Sequence, residues 1–337
     1  MRALALVGSY LLPESSAGDT GHSIAGLSGA WYDDASRVLF VASDLRDRPA
    51  LLMMDVEVAP VVRLVPRGFT RVERAVAQRT LDLEGVAPAR NGHLFLTSEG
   101  EEINPDRPSP GIFEYDRDGR FVRRLALPSA YWGMRSNLGL EGLSMSPDGR
   151  WLYAATESAL RQDGPLASVD AGAVTRILAY DVVSGGATRE FAYRTEPVPR
   201  LSGTAQARGD NGISEILAIA PDELLVLERS YVEETGPGAR SVNTIRIYHV
   251  RLTPAAEITG RWSLAADAPK AVLKKTLVLD LATVAPQFVD RLRNLENFEA
   301  MTFGPLLPDG RRTLLLISDD NASDQQVTAL VVLAISQ

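Results

Sequence analysis

Five segments of the chain repeat one pattern of residues that could bind a cation. Each segment pairs a small or acidic residue at the start of one apolar stretch with an acidic residue at the end of a second. The pairs are Ser28 and Asp44, Glu84 and Glu99, Glu141 and Glu157, Glu215 and Glu228, and Glu299 and Asp319. Nine of these ten residues are acidic. Carboxylate oxygens are hard ligands, so the pattern favours Ca²⁺, with Mg²⁺ or Mn²⁺ as alternatives.

The spacing within each pair predicts that its two residues lie close together. They stand 13 to 20 positions apart, which suits two strands joined by a hairpin loop. In an antiparallel hairpin the start of the first strand lies beside the end of the second. We therefore expect each pair at one end of its hairpin.

The hairpins are parts of longer repeat units, which begin near residues 27, 83, 140, 214 and 298. Candidate outer strands lie at 50–56, 61–65, 111–115, 123–127, 176–181, 190–193, 244–251 and 276–281. The last unit lacks a strand, which Leu4–Leu12 can supply beside Thr328–Ile335. Tandem four-stranded units predict an all-β protein, a single β-propeller domain over residues 1–337 with five or six blades. A set of β-sandwiches is the alternative.

The first strand of a propeller blade lines the central channel, so the repeat predicts a ring of carboxylates at one mouth. The candidate metal ligands are Asp44, Glu84, Glu99, Glu141, Glu157, Glu215, Glu228, Glu299 and Asp319. The net charge is −8, and without these nine acids the chain would be nearly neutral. Close carboxylates need bound cations, arginine partners or protons. Alternatively, such acids accept hydrogen bonds from backbone N–H groups of the next blade.

A few other polar residues are weaker candidates. Arg229 and Arg46 each follow a marked acid by one or two positions, and could contact an anionic substrate or neutralise a carboxylate. Asn297 and Asn321 flank the fifth pair and could supply neutral oxygens. His22 lies in a glycine-rich segment and is interpreted as a solvated loop residue.

Composition excludes several classes of function. The absence of cysteine excludes disulfides, thiol catalysis and cysteine-bound zinc, and three scattered histidines form no zinc motif. An acidic chain without basic runs does not favour nucleic-acid binding, and no apolar run is long enough for a membrane helix. We expect a monomer. Residues Leu4–Leu12 are interpreted as a strand, with a weak signal peptide whose apolar part is Ala3–Leu12 as the alternative. Residues Pro286–Leu295 are interpreted as a short helix.

Several motifs resemble one family as a set. They are Leu27-Ser28-Gly29, Asp82-Leu83-Glu84-Gly85, Thr97-Ser98-Glu99-Gly100, Gly139-Leu140-Glu141-Gly142-Leu143, Asn297-Phe298-Glu299-Ala300-Met301 and Ser318-Asp319-Asp320-Asn321. Together they resemble the phytase-like family, also called "esterase-like activity of phytase", over about residues 22 to 333. The resemblance implies a bacterial β-propeller, periplasmic or secreted after loss of a signal peptide, with the cytoplasm as the alternative. It also implies a phosphomonoesterase or esterase that uses a divalent metal.

Two kinds of function follow. In the first, the protein is a calcium-dependent hydrolase of a small anionic ester, with Glu141, Glu228 and Arg229 as candidate catalytic residues. A lactonase or carboxylesterase that uses one channel Ca²⁺ is the close variant. In the second, the protein is a non-catalytic exported propeller whose metals are structural and whose channel mouth binds a ligand or a protein.

Overall fold

The structure is a computed structural model that describes residues 3–13, 24–74, 81–99, 110–200, 208–234, 241–265, 272–323 and 325–336. His22 and Gly100, named above, lie outside the described residues. The described strands form five antiparallel sheets of four strands each, arranged as a ring. The predicted all-β propeller is confirmed, and the number of blades is five.

Each of the first four blades is continuous in sequence. Blade 1 contains β2 (Leu27–Asp33), β3 (Val38–Ser43), β4 (Ala50–Glu57) and β5 (Arg63–Arg71). Blade 2 contains β6 (Leu83–Pro88), β7 (Leu94–Ser98), β8 (Gly111–Tyr115) and β9 (Phe121–Arg124). Blade 3 contains β10 (Leu140–Met145), β11 (Trp151–Thr156), β12 (Val174–Asp181) and β13 (Gly186–Arg194). Blade 4 contains β14 (Gly209–Ala220), β15 (Glu223–Glu233), β16 (Ser241–Arg251) and β17 (Lys275–Asp280).

Blade 5 joins the two ends of the chain. It contains β18 (Asn297–Leu306), β19 (Arg312–Asp319), β20 (Ala329–Ile335) and, as its outer strand, β1 (Leu4–Leu11). The last two strands pair antiparallel, so that Leu4 lies opposite Ile335 and Leu11 opposite Ala329. The predicted closure of the ring is therefore confirmed.

The core lies between the blades. Apolar side chains of each blade pack against those of the next, and the five largest clusters join neighbouring blades around the ring. Each blade is thus buried on both of its faces, which explains why the inner strands carry long apolar runs. The innermost strands β2, β6, β10, β14 and β18 contact one another in ring order and form the channel wall.

The helix predicted over Pro286–Leu295 is wrong. This part of the chain contains short 3₁₀ turns at Ala285–Gln287 and Asp290–Arg293, with extended backbone at Phe288 between them. Phe288 and Leu292 are buried between blades 4 and 5. Their apolar spacing therefore reflects burial against the neighbouring sheets, without a continuous helix.

Candidate functional site

An irregularity at the start of the inner strands directs acidic side chains to one mouth of the channel. In blade 3, Leu140 pairs with Thr156, and the register then shifts before Leu143. Glu141 lies within this irregular segment, and Glu157 follows the end of β11 directly. Bulges of this kind change the direction of a side chain at the end of a sheet. Blades 1 and 2 show the same shift.

A cavity of 620 Å³ opens at this mouth. The carboxylates that line it belong to Asp44, Asp82, Glu84, Glu99, Glu141, Glu157, Asp210, Glu299 and Asp319. Of the described residues, only Arg46 and Arg229 bring positive charge to the lining. Seven of the nine predicted acids are therefore brought together, and the mouth is strongly negative.

The densest part of the ring surrounds Glu99. Carboxylate oxygens of Asp82, Glu84 and Glu99 lie within 4.8 Å of one another, and so do those of Glu99, Glu141 and Glu157. One Glu99 oxygen accepts a hydrogen bond from the N–H of Gly139, at 2.6 Å. Its carboxyl group also hydrogen-bonds that of Glu141. Glu99 is thus held in place at the point that the two groups share.

Burial and mutual repulsion disfavour the charged forms of these acids. Burial raises the pKa of Glu84 and Glu141 well above the ordinary value, and neighbouring carboxylates raise it further. Burial also raises the pKa of Glu157 well above its usual range, against the opposing effect of Arg229. The pKa of Asp44 rises to about 7, through burial and then through Asp82. The ring therefore holds protons unless cations neutralise it.

Asp319 carries an oxygen without a hydrogen-bond donor. Its Oδ1 accepts hydrogen bonds from the N–H groups of Leu27, at 3.0 Å, and Asn321, at 2.9 Å. Its Oδ2 is buried and has no partner in the described part of the chain. Buried acceptors are normally paired. This unpaired carboxylate oxygen, in an acidic cavity, is available as a ligand to a cation.

Arg229 is the internal counter-ion of the ring. Its guanidinium lies 3.1 Å from Glu157 and 3.6 Å from Glu299. Burial alone lowers the pKa of Arg229, but the carboxylates of Glu299 and Glu157 outweigh this effect and raise it. Its Nε is buried and has no acceptor among the described residues. Arg46 lies elsewhere on the rim, where it contacts Asp82 and Asn137, each at 2.7 Å.

The position of Arg229 shows that the predicted register of the fourth unit is wrong by one residue. Ile213 pairs with Glu228, just as Leu140 pairs with Thr156 in blade 3. The fourth-blade counterparts of Glu141 and Glu157 are therefore Ser214 and Arg229. A shift of one residue moves side chains to the other face of a strand. Neither Glu215 nor Glu228 lines the mouth.

Glu215 instead connects three blades inside the channel. It accepts hydrogen bonds from the N–H groups of Leu143 and Ile216, both at 2.9 Å, and from that of Ala30. These amides belong to the inner strands of blades 3, 4 and 1. Glu215 is almost completely buried. Its contacts are those of a structural residue.

Glu228 is buried between blades 3 and 4. It accepts hydrogen bonds from the hydroxyl of Tyr193 and the ammonium group of Lys275, both at 2.5 Å, and from the N–H of Glu196 at 2.8 Å. Its ion pair is satisfied within the protein. This placement removes Glu228 from the candidate catalytic residues.

Two carboxylates of the mouth were not identified from sequence. Asp82 stands two positions before Glu84, so period-two alternation along the strand could have indicated it. Asp210 is the second residue of the long strand β14, in a part of the strand that no repeat position marked. Asn297 and Asn321 line the mouth as predicted, and Asn297 donates a hydrogen bond to Glu299 at 2.8 Å.

Fold and site define a five-bladed β-propeller with an acidic channel mouth. Residues 22–322 match the phytase-like family described as "esterase-like activity of phytase", and the chain belongs to this family. An uncharacterized secreted protein of Arthroderma benhamiae is 25% identical over 207 residues. The match covers 50% of this chain and 38% of that protein, so the chain spans well under half of its length.

Solved structures of low sequence identity also match the chain. An endo-arabinase from Bacteroides thetaiotaomicron has 10% identity and a TM-score of 0.47, covering 97% of this chain and 98% of that one. An arabinanase from Bacillus subtilis has 11% identity and a TM-score of 0.43, covering 98% and 97%. Within the described residues, no helix is both long and apolar enough to cross a membrane.

Proposed function

We propose that the protein is a divalent-cation-dependent hydrolase that cleaves an ester, with a phosphomonoester as the favoured substrate, at the carboxylate mouth. The observation that carries this proposal is the pair of three-carboxylate groups that share Glu99. Membership of the phytase-like family supports the hydrolytic activity. The raised pKa values of the surrounding acids support the need for a cation.

The donor set fits a calcium ion. Two oxygens on opposite sides of Ca²⁺ are separated by about 4.6–5.2 Å, twice a metal–oxygen distance of about 2.3–2.6 Å. Within each group the ligand oxygens lie within 4.8 Å of one another. Either group, Asp82, Glu84 and Glu99 or Glu99, Glu141 and Glu157, would hold the ion. The unpaired Oδ2 of Asp319 offers a ligand elsewhere on the mouth. A bound cation would polarise the ester and lower the pKa of a bound water.

Glu141 and Arg229 have different parts in the proposed reaction. Glu141 is buried, has a raised pKa while no cation is bound and hydrogen-bonds Glu99, so it can give or accept a proton at the mouth. Arg229 has a buried Nε without an acceptor and would bind one oxygen of an anionic substrate. Arg46, whose side chain is 44% exposed, would contact the part of the substrate nearest solvent.

Charge makes binding of substrate depend on binding of the cation. Among the described residues, nine carboxylates and two arginines surround the cavity. An anionic ester would be repelled by this ring unless cations neutralise it first. We expect an ordered sequence, in which Ca²⁺ binds before the substrate.

The second candidate is a non-catalytic propeller with structural cations, and hydrogen bonds between blades favour it. Glu99 of blade 2 accepts from Gly139, which precedes blade 3, at 2.6 Å. Asp319 of blade 5 accepts from Leu27 of blade 1 at 3.0 Å. Some acids of the mouth therefore join neighbouring blades, as structural residues do.

A hydrolysis screen separates the candidates. The purified protein is treated with EDTA, supplied with Ca²⁺, Mg²⁺ or Mn²⁺, and offered p-nitrophenyl phosphate, p-nitrophenyl acyl esters and lactones. The proposal expects cation-dependent hydrolysis that Glu141→Gln abolishes, while the matched change Glu228→Gln outside the mouth retains it. Preference for acyl esters or lactones would identify the carboxylesterase or lactonase variant. Calcium binding without hydrolysis of any of these compounds would favour the non-catalytic propeller.

We also propose that the protein is exported. The support is the secreted relative of Arthroderma benhamiae, at 25% identity. Fractionation of cells that express the natural gene, with immunodetection of the protein, tests this. Recovery from the cytoplasm alone would contradict it.

A further inference from the structure

The channel contains a second cavity, of 530 Å³, behind the carboxylate mouth. One residue from each inner strand forms its wall at the same level: Ala30, Val86, Leu143, Ile216 and Met301. Each lies two positions after the residue that the repeat places at the mouth. The two cavities therefore lie one behind the other along the channel.

Glu215 connects the backbone of the inner strands at the level of the second cavity. The amides that it binds are those of Ala30, Leu143 and Ile216, all of them in the wall of the second cavity. Its carboxyl group thus fixes three wall residues that belong to three different blades. A ligand in the second cavity would not touch the carboxylates of the mouth.

The second cavity differs from the mouth in charge and polarity. Its charged lining consists of Arg90, Arg312 and Asp34 among the described residues, which leaves one net positive charge. In the described part of the chain, the mouth carries seven more carboxylates than arginines. Aromatic rings of Trp31 and Phe303 line the second cavity together with aliphatic and methionine side chains. Such a lining suits an apolar body with a negative group.

The aromatic walls are held in place by cations. The guanidinium of Arg312 lies over the ring of Phe303, 4.7 Å from its centroid, and donates to Asp34 at 2.6 Å. Its Nε is buried and has no acceptor in the described part of the chain. Trp31 stacks on Phe40 with ring centroids 5.5 Å apart, and Arg117 lies 5.0 Å from the centroid of Trp31. Walls that are already ordered reduce the entropy cost of binding.

We propose that this second cavity binds a small organic anion with a flat apolar body. The body would pack against Trp31 and Phe303, and the negative group would bind Arg312. A volume of 530 Å³ falls in the range of about 300–1,000 Å³ that is typical of small-molecule sites. The concave wall, drawn from all five blades, admits a small molecule more readily than the surface of a macromolecule.

The test uses two fluorescent probes with the same aromatic rings. These are 8-anilinonaphthalene-1-sulfonate, which is anionic, and N-phenyl-1-naphthylamine, which is neutral. Each is titrated into the folded full-length protein. We expect saturable binding of one anionic probe per chain, at least about tenfold tighter than the neutral probe, because a charged hydrogen bond contributes to only one of them. Equal affinity for both probes would overturn the proposal.

Variants locate the bound probe. Arg312→Gln should weaken the anionic probe about tenfold more than the neutral probe, because only the anionic probe loses a charged hydrogen bond. Ala89→Trp, which fills the cavity from its rim, should abolish binding of both and covers the case in which Arg312→Gln does not fold. Trp132→Ala alters a separate apolar pocket of 340 Å³ and should change nothing. Loss of binding in Trp132→Ala, or full binding in Ala89→Trp, would place the probe elsewhere and overturn the proposal.

Discussion

Arg229 lies 3.1 Å from Glu157, and the two residues occupy equivalent positions in neighbouring blades. Blades 1, 2, 3 and 5 place an acid at this position, namely Asp44, Glu99, Glu157 and Asp319. Blade 4 places Arg229 there. The ring therefore contains its own partial counter-ion. Together with Arg46 on the rim, Arg229 sets how much charge a bound metal ion must neutralise.

Replacing Arg229 separates its effect on charge from its proposed contact with substrate. Arg229→Gln removes the guanidinium that faces Glu157 and Glu299, so the metal-free protein should become less stable. Calcium should bind more tightly, because the mouth becomes more negative. Isothermal titration and thermal melts in EDTA measure both effects. Weaker calcium binding in Arg229→Gln would contradict the role of Arg229 as counter-ion.

Calcium should stabilise the folded protein. A ligand that binds only the native state adds about 2.7 kcal/mol at a hundred times its dissociation constant. In a chain of this size such a gain raises the melting temperature by several degrees. Thermal melts in EDTA and in added Ca²⁺, Mg²⁺ or Mn²⁺ measure the shift. An unchanged melting temperature with all three ions would show that protons and arginines suffice for the ring.

Two glutamates with different surroundings form a matched pair of variants. Glu99→Gln removes one charge from the point shared by both carboxylate groups, so calcium affinity should fall by about tenfold or more. Glu228→Gln leaves the mouth unaltered and weakens one of the two carboxylate contacts of Lys275, which keeps Glu196 at 2.9 Å, at a cost of about 1–3 kcal/mol. Calorimetry and urea unfolding distinguish the two outcomes. Equal calcium affinity in Glu99→Gln and the native protein would remove Glu99 from the site.

The metal-free protein should lose stability as pH rises. The pKa of Asp44 is about 7 in the folded state and about 3.9 in the unfolded chain. Between these values the folded state binds more protons, so its stability is greatest below about pH 4 for this group and falls up to about pH 7. Unfolding in EDTA across this range should show the fall, and Asp44→Asn should reduce it. A rise in stability over the same range would contradict the burial of protonated acids.

Glu215 should matter for the fold and leave calcium binding intact. Glu215→Ala leaves the amides of Leu143 and Ala30 without their acceptor, and each such buried group costs about 1–3 kcal/mol. Glu215→Gln keeps an oxygen acceptor and should cost much less. Urea unfolding compares the two variants, and calcium titration provides the control. Similar stability of Glu215→Ala and the native protein would show that the blades do not depend on this contact.

The repeat predicted the blades because its signal is physical. Each blade needs apolar strands at regular spacing and a turn between them, and both leave direct traces in the sequence. The closing strand could be predicted from the number of strands in each unit. The last unit has only three, and the N-terminal strand, Leu4–Leu11 in the structure, was left to complete it. Seven acids of the mouth followed from the same register.

The fourth unit shows where such reasoning fails. Ser214 and Glu215 are adjacent, and either could occupy the repeat position. The choice depends on where the strand bulges, and the shift after Ile213 is set by pairing with β15. The repeat pattern selected Glu215 because it is acidic, and so assigned to the mouth a residue that lies inside the channel. Position in the sheet, rather than residue type, decides which carboxylate reaches the cavity.

The closing of blade 5 by β1 has a consequence for synthesis of the chain. At about 5–20 residues per second, β20 follows β1 from the ribosome only after tens of seconds. Throughout that time β1 lacks the partner strand that pairs with it from Leu4 to Leu11. Unpaired strand edges promote aggregation. Until β20 emerges, β1 of the nascent protein must therefore be kept from pairing with the strands of other chains.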